Sequence, residues 1–183
     1  DCRGEDNESI LFLQAFMAEI NHSNQYGSKR VSDKISMDTH DQHYAGVSVT
    51  HSFSPRSAMA AIAYSKALAW FLGENLSLDH VRYVLPHIFA HKAGFSDDYM
   101  STHGNALRTT NESLHLAKQL VGDVHKRYME SIQPMKTLIS RIQKGQLTKR
   151  EIDEMKESAY DHPLMKDFIR ELKRPGKPFY EEE

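Results

Sequence analysis

Arg56 is the residue whose type and position most clearly call for chemistry. It closes the tripeptide Ser54-Pro55-Arg56, and an alanine-rich apolar run follows directly. Serine accepts hydrogen bonds from the orphan amides of a first helical turn, and proline suits the first helical position. An arginine one step further in opposes the positive end of the helix dipole, so its placement asks for a nearby anion or carboxylate. Phosphate is one such anion. The plainer alternative is an exposed surface arginine, which costs little.

Two sets of histidines come next. Asp38, His40, Asp41 and His43, with His51 nearby, offer imidazoles and carboxylates, the usual ligands of zinc and similar ions. They match no fixed ligand spacing, and polar loops collect such residues, so they read as a solvated loop and no metal site is expected. His87 and His91 stand four apart on one helix face, but Ile88 occupies the place of the glutamate in a metalloprotease HExxH. With Leu85 and Phe89 beside them they read as a partly buried helix edge. No catalytic residue is expected: no nucleophile signature, paired-carboxylate motif beyond chance or glycine-rich loop occurs. The only glycine followed by lysine is Gly176, which leads into Pro178. A phosphate-binding GxxxxGK[ST] loop and an acidic strand end for magnesium are therefore missing from this stretch.

The elements that would position Arg56 are a helix from Pro55 to Leu72, closed by Gly73, and a second helix capped by Ser77 with Asp79 in its first turn and Gly94 at its end. The stretch from Ser54 to Phe95, ending in DHVRYVLPHIFAHKAGF, resembles the C-terminal lid subdomain of MoxR-like AAA+ ATPases. The resemblance covers these residues and, less closely, the helix before them; it does not cover the chain from about Ser96 onward. It identifies Arg56 as the nucleotide-sensing sensor 2 arginine, supported by Ser54 and Pro55. It further implies ATP and Mg in the parent protein, with none held by this chain. Its implied partners are the rest of the AAA+ module, a homo-oligomeric ring, and a client or adaptor protein that the machine remodels or assembles. The alternative is a freestanding helical protein-interaction module without nucleotide; a third is a metal-binding helical protein using the loop of His40 and His43.

Composition narrows the setting. The 183 residues carry 23 basic and 25 acidic side chains for a net charge of −2, and the basic residues alternate with acidic ones, which argues against a nucleic-acid partner. The longest apolar runs fall far short of the roughly 20 residues that span a bilayer, so no membrane partner is expected. The lone Cys2 excludes an internal disulfide, and DCRGEDNE lacks a signal peptide's basic start and apolar core, so a cytoplasmic setting is expected. A start at Asp1 rather than methionine reads as the interior of a longer chain.

The expected fold class is all-α: a lid-like helical domain over 1–95 with an irregular or β-hairpin insertion at 27–53, a helical extension over 96–174, and a flexible tail over 175–183. A first helix runs from Asn7 to about Asn24, with Ile10, Leu13, Phe16, Met17 and Ile20 on one stripe, widened by Leu11 and Phe12. Alternation over 31–37 and 47–53 suggests two short strands. A linker follows Gly94. Thr109 and Glu112 form a capping box for a long helix from Thr110, whose heptad seam passes through Leu114, Ala117, Val121, Val124, Tyr128, Ser131, Met135, Leu138 and Ile142. Pro134 should kink or break it near Gln133, and Gly145 should end it. Thr148 and Glu151 cap a helix reaching Tyr160, and Asp161 with Pro163 opens a last one carrying Leu164, Phe168 and Leu172.

Overall fold

Small residues face inward along the second helix, and this decides how the helices of the first half assemble. In the computed structural model, residues 7–21, 45–51, 53–104, 111–146, 148–154 and 162–173 are described. They form seven α-helices with no strand among the described residues: α1 (Asn7–Ile20), α2 (Pro55–Leu72), α3 (Leu78–Ala90), α4 (Asp97–His103), α5 (Glu112–Gln143), α6 (Lys149–Glu154) and α7 (Pro163–Leu172). The fold is all-α. No helix is long and apolar enough to cross a membrane, among the described residues. The chain divides into two compact units, 1–125 and 126–183, with the division inside α5.

In the first unit α2 and α3 form an antiparallel hairpin against which α1 packs. The side of α2 turned inward consists of Ser57, Ala58, Ala61, Ser65 and Ala69, all buried, and the Ser65 hydroxyl donates to the Ala61 carbonyl at 2.7 Å. Such a face lets α3 approach with its large buried side chains Val81, Leu85 and Phe89. Gly73 lies in the left-handed region at φ 71°, and the amides of Gly73 and Glu74 return to the carbonyls of Trp70 and Ala69, which ends α2 in a Schellman motif. α3 runs through Pro86, which is buried.

α1 supplies Phe12, Leu13, Ala15, Phe16 and Ile20 to the core. Its described part ends at Ile20 with Asn21 in a turn, and the rest of the expected helix toward Asn24 lies outside the described residues. Asn21 Oδ1 accepts from the Phe53 amide at 2.9 Å while Asn21 Nδ2 donates to the Phe53 carbonyl at 3.1 Å. Phe53 then sits edge-on to Phe16 and Phe89, with ring centroids 5.4 and 5.7 Å apart. Phe16 and Phe89 close the triangle at 5.3 Å.

Several expectations are corrected. The strand over 47–53 is instead a 3-10 turn, Ala45–Ser48, followed by one antiparallel bridge between Val49 and Phe95. The buried Glu19 carboxylate accepts the Ala45 amide at 3.1 Å and fixes that turn, so the alternation marks Val49 and Phe53 as core residues and not a strand. The companion stretch 31–37 lies outside the described residues. α3 stops at Ala90, and Gly94 serves close packing instead: a Cβ there would meet Thr50 Oγ1. Part of the linker is α4, capped by Ser96 Oγ accepting from Tyr99 N at 3.3 Å. Phe95, Tyr99 and His103 stack in turn, at 5.8 and 4.2 Å, and this run of rings holds a helix too short to show periodicity.

α5 takes its cap from Asn111, whose Oδ1 accepts the Leu114 amide at 3.1 Å, while Thr109 and Thr110 lie outside the described residues. Ala117, Val121 and Val124 are buried as the heptad requires, joined by Leu116 and Leu120. Beyond Tyr128 the buried position is Ile132, not Ser131, and α5 continues through Pro134 without a break. One lost ladder bond is outweighed where Ile132 and Leu138 are buried on either side. Gly145, at φ 63°, ends the helix.

In the second unit the buried apolar side chains are Tyr128, Ile132, Leu138, Ile152, Met165, Ile169 and Leu172. Of the expected face of α7, Leu172 is buried, while Leu164 and Phe168 are only half-buried and Met165 and Ile169 take the core positions instead. Thr148 and Glu151 form the expected capping box, with Thr148 N donating to Glu151 Oε2 at 3.0 Å and Glu151 N to Thr148 Oγ1 at 3.3 Å. Arg141 donates to Glu151 Oε1 at 2.7 Å and ties α5 to α6. The Thr148 amide, then Arg141, hold the Glu151 carboxyl below the ordinary carboxylate range. His162, not Asp161, caps α7 by accepting from Leu164 N at 3.2 Å. The stretches 155–161 and 175–183 lie outside the described residues.

The Phe53 anchor is measurable by urea unfolding followed through far-UV circular dichroism. Phe53→Ala should cost about 3–5 kcal/mol, because a fully buried ring leaves a cavity among rings that cannot collapse. Asn21→Ala should cost about 1–3 kcal/mol, because it strands the amide and carbonyl of Phe53. A loss under about 1 kcal/mol for Phe53→Ala would remove the residue from its role as anchor.

Candidate functional site

The start of α2 is built on the Phe53 anchor. From that ring the chain turns outward, and Ser54 adopts an extended backbone, φ −79° and ψ 154°, before the helix begins. Ser54 Oγ accepts the Ser57 amide at 3.2 Å and lies 3.0 Å from Ser57 Oγ, and the Ser54 carbonyl accepts the Ala58 amide at 3.1 Å. Pro55 has no amide to satisfy. Arg56 is therefore the second residue of α2, exposed to solvent, with its guanidinium in no hydrogen bond or ion pair among the described residues. A cation held at the positive end of an 18-residue helix, unpaired, offers a planar fork of donors to phosphate or carboxylate oxygens.

The histidines separate into different settings. His87 and His91 are exposed, not partly buried, because α3 turns Val81, Leu85 and Phe89 inward and leaves the opposite side to solvent. They line an open cleft of about 180 Å³ together with Asn111, Ser113 and Leu114. His87 also lies against Tyr83, ring centroids 5.6 Å apart. His51 Nδ1 is 2.9 Å from Thr50 Oγ1. Asp38, His40, Asp41 and His43 lie outside the described residues. Among the described residues, no three metal-ligating side chains gather.

Two histidines with defined surroundings escaped the sequence reading. His80, buried, accepts at Nδ1 from the Ser77 amide at 3.2 Å and from Ser77 Oγ at 2.7 Å, while its Nε2 faces Glu74 Oε2 at 3.1 Å. The imidazole thus does the work of the usual glutamate in a capping box, and the spacing of Ser77 to His80 was the available signal. His125 lies near the middle of α5, its ring edge-on to Phe12 at 5.6 Å. Burial lowers its pKa, and the Arg82 cation lowers it further, against opposing pulls from Asp79 and Glu8.

No protein-family model, curated protein or solved structure matches this chain.

The His125 shift has a sign that can be checked. Its folded pKa lies below the unfolded value, so the unfolded chain binds the extra proton. Stability should be unaffected above the ordinary histidine pKa of about 6.5 and fall as pH drops below it. Replacing His125 by Gln should flatten the fall in unfolding free energy between about pH 7 and pH 5. An unchanged slope would assign the acid sensitivity to other groups.

Proposed function

We propose that this chain is the C-terminal lid portion of a MoxR-like AAA+ ATPase, in which Arg56 senses the nucleotide phosphates and couples hydrolysis to lid movement. The observation that carries the reading is an exposed, unpaired Arg56 in the first turn of a helix whose entry is clamped to the core. A guanidinium held in this way keeps its donors free while its backbone stays fixed, which suits a group that must find phosphate oxygens. The order of elements adds support: a Ser-Pro-Arg helix start, a tight turn and a second helix, with an earlier helix packed on both. ATP and its magnesium would be held by other parts of the parent machine. Chaperone-like remodelling of a client would follow from lid movement.

A freestanding interaction module is the second reading, and one observation favours it. The outward side of α2 carries Trp70 and Phe71, 83% and 80% exposed, which a lone soluble helix pair has no reason to display.

Arg56→Ala in the complete ATPase should cut ATP hydrolysis about tenfold or more, as the loss of one charged phosphate contact does. Thermal unfolding should not change, because Arg56 holds nothing in place. Unchanged turnover would take the sensing role from Arg56, and a complete reading frame without a phosphate-binding loop would favour the interaction module.

A further inference from the structure

The outward face of α2 is organised, not merely apolar. Arg56, Met59, Ala63, Ala67 and Trp70 are all exposed and follow one another at steps of three, four, four and three, which places them on one stripe of the helix. That order of steps reads the same in both directions. Two α2 helices laid antiparallel about Ala63 would therefore bring every stripe position opposite another one: Arg56 against the partner's Trp70, Met59 against the partner's Ala67, and Ala63 against the partner's Ala63. The side chains are complementary at each meeting. A long Met59 faces a small residue, the central pair is small enough for close approach, and the stripe's one charge meets its most exposed ring.

We propose that α2 is a self-association surface, and that its occupant is α2 of a second copy of this chain in a two-fold antiparallel pair. Arg56 has no internal partner among the described residues, so it loses none by stacking on the partner's Trp70. Trp70 is 83% exposed and Met59 74%, and burying them is the driving force. Tyr64 and Phe71, 63% and 80% exposed, flank the stripe. An isologous pair needs this self-complementarity, which a client helix of unrelated sequence would not. A single helix pair buries less than about 1,200 Å², so the dimer is transient and half-formed at about 10–100 µM. The inference does not rest on the lid reading.

Trp70 is the only tryptophan, so its emission reports on this surface alone. With the full chain and no nucleotide, sedimentation velocity from about 1 to 500 µM should show a monomer becoming a dimer, with Trp70 emission moving to the blue over the same range. Ala63→Glu, which sets two carboxylates on the two-fold axis, should abolish association. Arg56→Ala should weaken it about 5- to 30-fold, since each dimer contains two cation–aromatic contacts. Arg56→Glu should remove association, and adding Trp70→Lys should restore it by pairing opposite charges across the same contact. All these positions are exposed, so circular dichroism and thermal unfolding should match the parent chain. A monomer at the highest concentration, or a dimer untouched by Ala63→Glu, would overturn the proposal. ATP hydrolysis enters none of these readouts, so its failure and that of the lid reading stay distinguishable.

Discussion

Two hydrogen bonds from one side chain hold the start of α2 in place. Asn21, just past the end of α1, meets both backbone groups of Phe53, which lies 32 residues further along the chain. The amide of Phe53 precedes the helix and its carbonyl lies outside any ladder, so neither group has a secondary-structure partner. An asparagine carboxamide carries one acceptor and a donor pair side by side, which matches the two groups of a single residue. The ring of Phe53 is thereby directed between Phe16 of α1 and Phe89 of α3. The position of Arg56 follows three residues later. The 3-10 turn reinforces the arrangement, because Glu19, two residues before Asn21, anchors Ala45.

The small inner face of α2 has a second consequence. A helix that buries Ser57, Ala58, Ala61, Ser65 and Ala69 contributes little apolar area per residue to the core. Closeness to α3 compensates, since Val81, Leu85 and Phe89 supply the bulk from the other side. The largest side chains of α2 are left to its outer side, among the small Ala63 and Ala67. Met59, Tyr64, Trp70 and Phe71 face solvent because the inner face admits no residue of their size. A helix of this kind has two packing surfaces, one occupied within the first unit and one open.

How far the residues announced this varied with the length of the signal. α2 and the start of α3 were legible to the residue, because Ser54, Pro55, Gly73 and Ser77 are local caps whose meaning does not depend on the rest of the chain. The exposure of Arg56 follows from the same caps. The end of α3 was not, since Gly94 is small for the sake of Thr50, a contact across more than forty residues. α4 escaped because a helix of seven residues completes only two turns, and ring stacking holds it instead. The seam of α5 was read correctly from Ala117 to Tyr128, where a 3.5-residue step still tracks a straight helix of 3.6, while Leu114 at its start is only half-buried. One turn later Ile132 took the place assigned to Ser131, and the seam's Leu138 is again buried. The first two turns of α7 differ for another reason: in ten residues two neighbouring apolar stripes satisfy the period almost equally, and packing turned Met165 and Ile169 inward in place of Leu164 and Phe168 while keeping Leu172.

The two proposed uses of Arg56 act on each other through linkage. A guanidinium that binds a phosphate along its edge and a guanidinium stacked on an indole require different surroundings, and a partner helix over the stripe would cover the approach to the phosphate. Each event therefore removes the other's binding partner. A nucleotide that engages the free form alone would dissociate the α2 pair in proportion to its occupancy, and association would lower nucleotide affinity by the same factor. The unpaired state of Arg56 is what permits either outcome, for a residue already committed to an internal carboxylate could answer to neither.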